Sequence, residues 1–143
     1  MFVKRALEGG NTMTSSVTPT EVESFLIRES VMLPHLIQML NNNIENKFKK
    51  EGLGKPLQEY YIGLTKAMVN EINDDLTTVR KSLRDLKIKV WEDKGKEDDS
   101  SIYYRYICRG YEHELAIIRK QGRAELKEKL GKYASKMESL LRS

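Results

Sequence analysis

The sequence is poor in the residues that most often carry chemistry: one cysteine, two histidines, one tryptophan and three prolines in 143 residues. A single cysteine, Cys108, rules out an intramolecular disulfide, and a reducing cytoplasm is the simplest setting for it. Helical zinc and di-iron sites need paired His and carboxylate ligands on facing helices. His35 has no ligand type at helical spacing except Met39, and His113 lies between Glu112 and Glu114, which point to different sides of a helix. Both histidines read as surface residues, and no metal or cofactor is expected. No apolar run approaches membrane-spanning length. The opening Met1-Phe2-Val3-Lys4-Arg5 lacks the apolar core that follows in a signal peptide. Gly52-Leu53-Gly54-Lys55 has neither the spacing nor the following Ser/Thr of a phosphate loop, because Pro56 comes next. No Ser/His/Asp or Cys/His set stands at a catalytic spacing, so the expectation is a protein that is not an enzyme.

Charge is plentiful and nearly balanced. Charged residues make up 32% of the chain and apolar ones 39%, a mixture suited to long amphipathic helices rather than a thick core. The net charge of +4 favours solubility and weak attraction to anions, and does not by itself indicate nucleic-acid binding. The excess of basic residues lies in the last third, from residue 101 onward.

The strongest pattern is a mirror. Apolar residues recur at Leu57, Tyr61, Leu64, Met68, Ile72, Leu76, Val79, Leu83, Leu86 and Val90. A second series runs Tyr104, Cys108, Tyr111, Leu115, Ile118, Gly122, Leu126, Leu130, Tyr133 and Met137, with the same spacings in reverse. Two antiparallel helices sharing one seam need matching phase slips, so the mirror predicts a helical hairpin. It pairs Leu83 with Tyr111, Val79 with Leu115, Leu76 with Ile118, Ile72 with Gly122 and Leu64 with Leu130.

Ahead of the hairpin, residues 1–17 read as a disordered arm or a misannotated upstream segment, in which residues 1–12 would precede a true start at Met13. Codons for Glu8-Gly9-Gly10 can spell a purine-rich bacterial ribosome-binding site, which would make the source bacterial. A single helical domain then covers residues 18–143. Thr18 or Thr20 can cap a first helix, Pro19 suits its first turn, and Glu21 and Glu23 suit its positive end. Pro34 falls inside that helix and predicts a kink or break near Leu33. Glu51-Gly52-Leu53-Gly54-Lys55-Pro56 separates the first helix from the second.

Residues 86–108 admit two readings. Leu86-Lys87-Ile88-Lys89-Val90 alternates strictly, as do Ile102, Tyr104, Tyr106 and Cys108 in a β-prone run. A two-stranded β-ribbon at the hairpin tip, about 86–92 and 102–108, would set Val90 opposite Tyr104, Ile88 opposite Tyr106 and Leu86 opposite Cys108. Its apolar face would have to rest on the first helix or on a second subunit, since an isolated ribbon is marginal in water. The alternative is a three-helix bundle with continuous helices. In both, a third helix runs from about Gly110 to Leu141. The fold expected is thus mainly α: a kinked N-terminal helix on an antiparallel helical hairpin, with or without the ribbon. Its long exposed surface makes a homodimer the expected assembly.

Two clusters carry the functional expectations. Trp91, Tyr103, Arg105, Tyr106 and Arg109 gather near the hairpin tip, and Tyr, Trp and Arg dominate protein-binding hot spots. They equally suit a structural role, with tyrosines closing the bundle and arginines paired to Glu92, Asp93, Glu112 or Glu114. Arg80, Arg84, Lys87 and Lys89 form a basic stripe that could track phosphates, although such stripes are more often solvated flanks. Cys108 lies near Arg105 and Arg109, yet an inert buried thiol is the plainer reading. The expected function is a small non-enzymatic regulatory or adaptor protein that binds another protein through the aromatic–arginine patch. The alternative is a nucleic-acid-binding accessory protein that uses the basic stripe.

Overall fold

The structure, a computed structural model, describes residues 18–48 and 54–142. The arm, the internal start at Met13 and most of the glycine-rich break lie outside the described residues.

Helix α1 (Glu21–Asn43) opens on a capping box: Thr20 Oγ1 accepts from the Glu23 N–H at 3.1 Å, and Glu23 Oε1 accepts from the Thr20 N–H at 2.9 Å. Pro34 kinks this helix without ending it, and the chain continues into a π-helical turn over Ile44–Phe48. Helix α2 (Lys55–Asp85) starts after Gly54, with Pro56 in its first turn. Met68, Ile72, Leu76, Val79 and Leu83 form its buried stripe. It closes with a Schellman cap in which the Lys87 and Ile88 N–H groups donate to the Arg84 and Leu83 carbonyls at 3.0 and 2.9 Å. That cap holds Lys87 at φ 59°, a position where glycine is the usual occupant.

Three strands follow rather than two: β1 (Lys89–Glu92), β2 (Ser101–Cys108) and β3 (Tyr111–Ile118), antiparallel in the order β1-β2-β3. The ribbon anticipated over 86–92 and 102–108 is present with a shorter first strand. Its register is shifted by two residues, so that Val90 faces Tyr106 and Glu92 faces Tyr104. A shift of two preserves which side chains share a face. The third strand replaces what was read as the start of the last helix. Arg109 (φ 52°) and Gly110 (φ 82°) both adopt positive φ and close a two-residue hairpin between β2 and β3. Helix α3 (Arg119–Arg142) therefore begins nine residues later than Gly110.

This inserted strand also resets the seam. The Tyr133 hydroxyl donates to Asp75 at 2.5 Å and Lys136 pairs with Glu71 at 2.6 Å. Leu130 consequently packs with the Ile72 and Leu76 cluster instead of facing Leu64. Tyr111 and Ile118 are exposed, so their pairings with Leu83 and Leu76 do not form, while Val79 and Leu115 do share a cluster. Gly122 is buried against Ile117, not Ile72.

The core has two ends. At the helical end, Leu33, Leu36 and Leu40 of α1 meet Met68, Ile72 and Leu76 of α2, with Leu126, Leu130, Tyr133 and Met137 of α3 against them. At the sheet end, Ile27, Val31 and Met32 of α1 and Val79 and Leu83 of α2 cover Tyr104, Cys108, Ile117 and their neighbours. The sheet's apolar face thus rests on the first helix, one of the two supports expected for it. Each fully buried aliphatic side chain contributes about 1.5–3 kcal/mol, and α1 supplies such residues to both ends.

Candidate functional site

Strand alternation divides the aromatic–arginine cluster. Trp91 pairs across the ladder with Arg105, and Tyr103 lies two residues along on the same outer face. Tyr106 points to the opposite face, where it packs beside the Ile27 cluster and stacks on His113 with ring centroids 5.0 Å apart. Arg109, at the β2–β3 turn, donates to both carboxylate oxygens of the buried Glu23 at 3.0 Å and to the Thr18 carbonyl. The structure brings Trp91, Tyr103 and Arg105 together and leaves Tyr106 and Arg109 elsewhere.

The outer-face group is largely satisfied from within. Arg105 is 2.6 Å from Glu112 and 3.7 Å from both Asp93 and Glu114, and these carboxylates hold its guanidinium firmly protonated. Lys96 sits over the Tyr103 ring, 5.2 Å from its centroid, and pairs with Glu114. Other arginines and lysines are similarly engaged, as in Arg28–Glu125, Arg119–Glu97 and Lys129–Glu29.

The basic stripe behaves differently. Arg80 and Arg84 near the end of α2, Lys87 in its cap and Lys89 on β1 line one groove of about 670 Å³. None of these four side chains has an ion pair or hydrogen bond among the described residues. The groove's apolar floor is Val31, Leu83, Ile88, Val90 and Tyr104, and Trp91, 38% exposed, stands on its wall. Among the described residues, Glu92 is the one carboxylate lining it. Other nearby acids are diverted: Asp85 pairs with Lys81, Asp93 with Arg105 and Glu97 with Arg119. Four unneutralised cations around an apolar floor form a surface for an anionic partner with some hydrophobic content.

Beneath the floor, the Tyr104 hydroxyl shares a 2.7 Å hydrogen bond with His35 Nε2. Burial, with the charges of Glu92 and Glu97, pushes the Tyr104 hydroxyl up to about 12, so it stays protonated. His35 and His113 are part-buried partners of tyrosines, correcting the expectation of surface histidines. Cys108 is fully buried, 3.8 Å from Glu23, and burial followed by that carboxylate pushes its thiol up, which makes it a poor nucleophile. Among the described residues, no group of three or more His, Cys, Asp or Glu is placed to hold a metal ion, and no helix is long and apolar enough to cross a membrane.

The sequence stripe named all four cations but not their convergence with Trp91. The positive-φ cap at Lys87 turns the chain so that α2 and β1 become two walls of one groove.

Residues 18–138 match the family model described as YhjD protein. No curated protein and no solved structure matches the chain.

Proposed function

We propose, for a chain that belongs to the YhjD family, a small non-enzymatic regulatory or adaptor role in the cytoplasm, exercised by binding another protein. The observation that carries this reading is the groove in which Arg80, Arg84, Lys87 and Lys89 stand unpaired around Trp91. The partner is acidic at the point of contact. Trp91 is the aromatic anchor, and Tyr103 and Arg105 on the adjoining outer face form the rim. A homodimer belongs to the same proposal.

Nucleic-acid binding is the second reading, favoured by the same four cations beside a tryptophan on which a base could stack. The protein reading ranks first because the groove also runs beside an unpaired strand edge, which offers backbone hydrogen bonds to a peptide.

Trp91 is the sole tryptophan, so its fluorescence reports the groove directly. Titrating the full chain with polyglutamate and with single-stranded oligonucleotides, at about 50 and about 200 mM salt, separates the readings. Saturable polyglutamate binding that Arg84→Glu and Lys89→Glu abolish is the expected result. Tighter oligonucleotide binding that collapses at the higher salt promotes the second reading. No response to either polymer overturns both.

A further inference from the structure

The groove follows the edge of the sheet. Strand side chains alternate between faces, so a groove lying on one face would meet every second residue. This one is lined by every residue from Lys87 to Glu92. β1 is an outer strand of the order β1-β2-β3, so only its edge presents all of them.

The ladder shows which backbone groups that edge offers. The Asp93 N–H donates to the Tyr103 carbonyl at 2.8 Å. Antiparallel pairs alternate between hydrogen-bonded and non-bonded, so Trp91 and Lys89, two and four residues earlier, also direct their backbone groups to β2. Val90 and Glu92 direct theirs outward. The Ile88 N–H is already used by the Leu83 carbonyl. An incoming chain therefore finds two residues with unpaired donors and acceptors, flanked by four unpaired cations and backed by an apolar floor.

We propose that the groove binds an extended acidic peptide segment of a partner protein as an added strand along β1, with backbone pairing to Val90 and Glu92 and carboxylates directed to Arg80, Arg84, Lys87 and Lys89. This rests on the protein-binding reading and specifies its mode. An added strand places alternate side chains on opposite sides. One set meets the floor of Val31, Leu83 and Tyr104, and the other meets the lysines and arginines. The preferred segment therefore alternates apolar and acidic residues. β3, the opposite edge, is unsuited to it, because Glu112 and Glu114 lie along that strand.

The test is calorimetric titration of the full chain with a short peptide of alternating glutamate and valine. The same peptide is then N-methylated at every second residue, in each of the two phases. The parent peptide should bind, one methylated phase should lose about tenfold or more in affinity, and the other should retain it. Val90→Pro removes an outward N–H while sparing the β2 ladder, and should weaken the parent peptide to a similar degree with an unchanged circular dichroism spectrum. If that variant misfolds, the methylated peptides still decide. Equal binding of both methylated forms overturns strand addition and leaves charge-driven protein binding standing. Undiminished binding to the Arg84→Glu/Lys89→Glu variant removes the groove as the site and overturns both, as does absence of binding by the parent peptide.

Discussion

Arg109 and Glu23 are 86 positions apart in sequence, and the guanidinium donates to both carboxylate oxygens at 3.0 Å. The pair ties the first turn of α1 to the β2–β3 turn. Glu23 is 8% exposed and also completes the capping box, so one side chain serves two contacts. Arg109→Ala leaves a buried carboxylate without its cation and should cost about 2 kcal/mol, read from the midpoint of urea unfolding. Arg109→Lys should recover only part of this, because an ammonium cannot reproduce the forked contact.

Two carboxylates give stability a defined acid dependence. Burial pushes the Glu23 carboxyl up, but the hydrogen bonds from Arg109 and Thr20 outweigh it and leave it below its ordinary value. Arg28 does the same for Glu125, against burial. Each binds its proton more weakly folded than unfolded. Their contribution is thus complete above the unfolded value of about 4.3 and is lost as the pH falls through the folded values. Urea midpoints should hold steady from about pH 7 to about pH 5 and drop below that. Glu125→Gln should be less stable at neutral pH and lose less on acidification.

The two glycines of α3 should respond oppositely to alanine. A Cβ at Gly131 meets nothing within 4 Å, so Gly131→Ala should gain about 1 kcal/mol from helix propensity. A Cβ at Gly122 would stand 3.0 Å from Ile117 Cγ2, inside the packed end of the sheet. There the overpacking, about 1–3 kcal/mol, should cancel or exceed the same gain. Thermal melts of the two variants check the contrast.

Lys87 occupies a left-handed cap that glycine fills at less steric cost. Lys87→Gly should stabilise the fold by about 0.5 kcal/mol, the relieved strain being partly offset by a freer unfolded chain. The same variant should weaken polyglutamate binding, since it removes a groove cation. Stability gained together with affinity lost would mark the lysine as kept for binding.

The helices were legible because their buried stripes are long. Met68 to Leu83 and Ile27 to Leu40 repeat over several turns, and Thr20 with Glu23 signs the first start. β3 was hidden because Tyr111, Leu115 and Ile118 fit helical spacing while Tyr111, His113, Leu115 and Ile117 fit alternation. The deciding signal was Arg109-Gly110, a two-residue turn whose second member is glycine. Missing that strand displaced the α2–α3 seam, because each helical pairing was counted through residues that are in fact extended. The basic stripe could be read in the sequence as a helical face. Its meeting with Trp91 could not, because it depends on the turn at Lys87.

The groove between α2 and β1 is the proposed working surface. Chemical-shift mapping of the isotopically labelled full chain during a polyglutamate titration tests it most directly. Saturable shifts are expected at Arg80, Arg84, Lys87, Lys89, Val90 and the Trp91 indole, with Arg119 and Arg28 unmoved. Shifts centred instead on Arg105, Arg109 or α3, with the groove silent, would contradict it.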